Sequence, residues 1–70
     1  MKYICDVEGF GAIPVEKDNP SISPEMIVNE AALICYRKCG KERESFVIEL
    51  DGKKYRSELI FDPLFDSEPL

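Results

Sequence analysis

The sequence predicts a small α+β domain in the order ββαββ, one helix packed on an antiparallel sheet. Three observations predict it. A capped, amphipathic segment stands in mid-chain. An Asp-Gly pair divides two alternating runs after it, and two short apolar runs split by glycines come before it. A length of 70 residues makes this one domain.

Tyr3, Cys5 and Val7 alternate with Lys2, Ile4 and Asp6, the period of a strand with two unlike faces. Gly9-Phe10-Gly11 reads as a bend, because glycine permits a tight turn. It lacks the later glycine and the lysine of a phosphate loop. Ala12-Ile13-Pro14-Val15 is the second strand, and Pro14 places it at a sheet edge because proline cannot donate to a central ladder. Lys17 to Ser23, with Asn19-Pro20, is a loop.

Ser23 is suited to cap a helix, Pro24 to its first position and Glu25 to its positive end. Arg37 and Lys38 suit the last turn, and Gly40 stands where a left-handed stop is expected. The helix is therefore expected from Pro24 to Cys39. At 100° per residue, Ile27, Val28, Ala31, Ala32, Ile34, Cys35 and Cys39 form one broad face. Met26, Leu33 and Tyr36 form a second, narrower apolar strip that a simple surface helix would not carry.

Ser45 to Phe61 reads as a hairpin about Asp51-Gly52, a pair suited to a type I′ turn. A two-residue turn sets Ile48 opposite Tyr55 and Glu49 opposite Lys54. Phe46, Ile48, Leu50, Tyr55, Leu59 and Phe61 then share the core face. Val47, Glu49, Lys54, Arg56, Glu58 and Ile60 share the other. Two prolines and three acids after Phe61 predict no regular element. The domain is thus expected over residues 1–61, with an acidic-hydrophobic tail over 62–70 that either folds back over the Met26/Leu33/Tyr36 strip or docks on another protein and orders there.

Composition excludes several classes. At 44% hydrophobic the chain is too apolar for simple disorder, and no apolar run approaches the roughly 18 residues of a membrane span. The net charge of −5 opposes nucleic-acid binding through phosphate neutralisation. That charge is divided: −4 over residues 1–36, +3 over 37–56 and −4 over 57–70. The basic block, Arg37, Lys38, Lys41, Arg43 and Lys54 with Tyr55 beside it, is the one stretch that could meet nucleic acid.

Histidine is absent, which removes the usual neutral-pH base, imidazole metal sites and every Ser-His or Cys-His nucleophile. Nothing selects a catalytic pair among fourteen carboxylates. No enzyme activity, cofactor, metal or small-molecule substrate is expected. Three cysteines, an odd number with no secretory leader before them, suggest a reducing, cytoplasmic setting. Cys5, Cys35 and Cys39 are expected to be small buried hydrophobes. The alternative is a thiol- or metal-dependent protein, since Cys35 and Cys39 stack on one helical face that Cys5 could approach from the sheet.

The expected function is that of a small acidic, non-enzymatic interaction or regulatory protein that binds a protein partner or self-associates as a homodimer. Its candidate contacts are Phe10 between its glycines, the Met26/Leu33/Tyr36 strip, and Leu64 and Phe65 of the tail. A further alternative is an acidic mimic of nucleic acid that blocks a basic groove, which the positive middle block opposes.

Overall fold

Two hairpins flanking a helix build the expected α+β architecture in the computed structural model, which describes residues 1–70. The elements are β1 (Lys2–Val7), β2 (Gly11–Glu16), α1 (Pro24–Lys38), β3 (Ser45–Leu50), β4 (Lys53–Phe61) and β5 (Leu64–Pro69). The sheet order is β2-β1-β3-β4-β5 and every pairing is antiparallel. α1 covers one face. No helix is long and apolar enough to cross a membrane.

β1 and β2 pair over their full length, with Tyr3 opposite Val15 and Cys5 opposite Ile13. Pro14 lies on an edge strand, as its missing donor requires. The joint between β1 and β3 is short: only Asp6 with Glu49 and Val7 with Ile48 are paired.

The helix begins and ends on the expected signals. Ser23 caps it, its side chain accepting from the Met26 N–H, and Pro24 is its first residue. It ends at Lys38, with Cys39 as the C-cap. Gly40 then takes φ +68°, which lets the Gly40 and Lys41 N–H groups reach back to the carbonyls of Arg37 and Tyr36. Asp51 and Gly52 both have positive φ, as a type I′ turn demands, and the pairing Ile48–Tyr55 and Glu49–Lys54 follows.

The C-terminal segment corrects an expectation. Residues 62–70 are not a tail outside the domain, because Leu64–Pro69 forms β5 along β4. Pro63 lies in the connecting turn with Asp62, and their peptide bond is cis. Pro69 is the last strand residue. Between them, buried Phe65 and Ser67 alternate with exposed Asp66 and Glu68. That is the period of a strand, overlooked when the segment is judged by its proline and acid content. A bulge between Leu59 and Phe61 also shifts the register, so Phe61, expected on the core face, is 64% exposed.

Beneath α1, Cys5, Val7, Ile13, Val15, Phe46, Ile48, Leu50, Tyr55 and Phe65 meet Ile27, Val28, Ala31, Ala32, Cys35 and Tyr36 in one core. Ile34 and Cys39, expected at that face, are half-buried at its margin. Periodicity places Tyr36 on the second strip, and it is nonetheless buried. β5 extends the sheet beneath it, and Phe65 meets its ring edge-on at 5.3 Å.

Candidate functional site

The six candidate contacts separate into two groups. Tyr36 and Phe65 belong to the core, and Phe10 is half-buried against it. Phe10 meets Phe46 edge-on at 5.7 Å, and the Arg43 guanidinium lies over both rings, 5.4 and 4.9 Å from their centroids. The Arg43 guanidinium also stands 3.2 Å from where a Cβ on Gly9 would lie. The glycine bend therefore packs Phe10 down instead of presenting it. Met26, Leu33 and Leu64 form the other group. They line a groove of about 220 Å³ between α1 and the start of β5, with Ile22, Pro63 and the ring of Phe65, beside the Lys17–Glu30 ion pair. Met26 is 57% exposed and Leu64 48%. The ordering of β5 withdraws the tail as a free docking peptide and leaves this groove in its place.

The face opposite α1 has no layer over it. Strand alternation brings charge to it from every strand. Lys2 lies opposite Glu16, Glu49 opposite Lys54, and Arg56 opposite Glu68. Two pairs are alike in sign: Asp6 is directly opposite Glu49, and Glu58 directly opposite Asp66. Such pairs destabilise a sheet by roughly 0.2–1 kcal/mol each. Asp6, Glu8 and Glu49 surround a shallow depression of about 180 Å³ with Val47 and Lys54. Among the apolar members of this face, Ile4 and Ile60 are more than half exposed and Val47 is half-buried. Sequence alternation puts Glu49, Lys54, Arg56 and Glu58 together. The opposition of Asp6 to Glu49 and of Glu58 to Asp66 needs the strand order, which no local signal carries.

The cysteines are free. Cys5 and Cys35 are fully buried, and burial pushes the Cys5 thiol up to about 11, with Asp51 and then Cys35 adding to the shift. Burial also raises Cys35, against a smaller opposing effect of Lys38. Both therefore stay protonated at neutral pH, the form least suited to attack or to metal. Cys39 is half-buried and its thiol donates to the Tyr36 carbonyl, 3.3 Å away. No three cysteine or carboxylate side chains converge as a metal cluster.

A buried polar chain links α1 to the sheet. Ser57 and Ser67 face each other across β4 and β5 at 2.5 Å, and the Ser67 hydroxyl donates to Asn29 Oδ1. Ser57 is then the donor to Ser67. Their positions share parity with Tyr55 and Phe65, the signal by which a sequence reading could have placed them inward.

The fold and this face together define a two-layer α+β protein with an uncovered, predominantly acidic sheet surface. No family model, curated protein or solved structure matches the chain.

Proposed function

We propose that this is a non-enzymatic interaction protein of the cytoplasm that binds a protein partner bearing a cationic surface, through the uncovered face of its sheet. One observation carries the reading: two carboxylate pairs, Asp6–Glu49 and Glu58–Asp66, are directly opposed on that face. Each costs stability in the free protein, and a cation set between the pair converts the repulsion into attraction. The half-exposed Ile4 and Ile60 give such a partner apolar contact beside the charge. Lys54 and Arg56 interrupt the acids on β4, which disfavours a uniform mimic of a phosphate backbone. Unpaired thiols suit a reducing compartment.

The test begins with capture of the partner from lysate of the source cells, its identification, and titration with the purified partner. Affinity should fall steeply with salt, and the double variant Asp6→Asn/Glu58→Gln should lose about tenfold while gaining stability. Opposite signs in the two readouts separate a lost contact from a damaged fold. A partner held equally well by the double variant, or no salt-sensitive partner at all, sinks the reading.

A further inference from the structure

We propose that the free edge of β5 accepts an extended segment of the partner as a sixth strand, a segment that alternates cationic with apolar side chains. This rests on the reading above that the partner is cationic, and adds where and in what conformation it is held.

The backbone argument comes first. The Leu70 N–H donates to the Lys54 carbonyl at 3.0 Å. Antiparallel alternation then turns the N–H and C=O of Phe65 and Ser67, and the C=O of Pro69, away from β4. These groups form an open ladder of the kind that strand addition completes. The opposite edge does not match it. There the Lys17 N–H donates to the Met1 carbonyl at 2.9 Å, which turns Ala12, Pro14 and Glu16 outward and puts proline in the middle of the edge.

Side-chain chemistry selects the occupant. Alternate residues of an added strand point to opposite faces. On the helix side they enter the groove of Met26, Leu33 and Leu64, which favours apolar groups. On the uncovered side they stand beside Asp66 and Glu68, which favours lysine or arginine. A second copy of this chain is a poor occupant. Two-fold pairing about Ser67 would set Asp66 against Glu68 of the other copy, twice over, and Pro69 would leave the Phe65 carbonyl without a donor.

The experiment uses the full chain and a short blocked peptide alternating lysine and valine. Two comparators have the same side chains: one with the lysines and valines in separate blocks, the other alternating but N-methylated at the valine amides, the ones that face β5 when valine points to the helix side. The alternating peptide should bind at least about tenfold more tightly than either, and should slow hydrogen exchange at the Phe65 and Ser67 amides. Its advantage should shrink in Asp66→Asn/Glu68→Gln. Equal binding of the methylated peptide, or unchanged exchange at those two amides, overturns strand addition while leaving the cationic-face reading intact. Strand addition indifferent to the Asp66/Glu68 variant overturns the charge assignment. A dimer that protects the same amides without peptide makes the occupant a second copy and overturns the proposal.

Discussion

Ser67 is the residue on which most of the buried polar chemistry turns. It accepts from Ser57 and donates to Asn29, and so ties β4, β5 and α1 through one hydroxyl. Ser67→Ala leaves two groups without their partner, and we expect it to cost about 1–3 kcal/mol, read as a lowered urea midpoint. Adding Ser57→Ala should cost less than the sum of the two single changes, because it removes a group already orphaned. Cys5 contributes to the alkaline limit. Its thiol titrates at 9.0 when unperturbed and about 11 in the fold, so the folded state holds the proton more tightly. Stability is then fully present below pH 9 and falls as pH rises from 9 to 11. The raised Cys35 and Tyr36 groups act in the same direction. Urea midpoints against pH should show this decline, and Cys5→Ala should make it shallower while lowering the plateau through lost packing.

At the scale of elements, β5 separates what the sequence makes legible from what it does not. The helix could be placed to within a residue because its signals are local: Ser23, Pro24 and Gly40 act on their own backbone. The Asp51-Gly52 turn could likewise be read, and it fixed the register of β3 and β4. β5 carries no such signal, since its turn is Asp62-Pro63 and its alternation spans few residues. The burial of Tyr36 is illegible for the same reason: a helical wheel assigns faces but cannot tell how wide the sheet beneath them is. Of the candidate contacts, Met26, Leu33 and Leu64 come together at a groove that the buried Phe65 also lines, whereas Phe10 and Tyr36 are taken up by packing. Phe65→Ala measures the point directly. Were 62–70 a loose tail, the change would cost little. With Phe65 buried against Tyr36 and Phe46, it should cost about 3–5 kcal/mol by chemical denaturation.

The whole molecule is held by one helix on one side of its sheet and exposes like charges on the other. Neutralising Asp6 or Glu58 alone should raise stability by roughly 0.2–1 kcal/mol, and added salt should narrow the gain. The joint between β1 and β3 has a larger consequence. Each hairpin is closed by its own turn, whereas that joint has two paired positions and brings together segments separated by the whole of α1. The molecule is thus two leaves bound along one spine, with the helix as the binding. Opening the leaves breaks little backbone pairing and separates Asp6 from Glu49, so the electrostatics of that crease favour parting. Native-state hydrogen exchange should find the Glu8 amide, which crosses the crease to Val47, released by a smaller opening than the amides inside either hairpin. Under stress the sheet should give way along this line before its outer strands come loose.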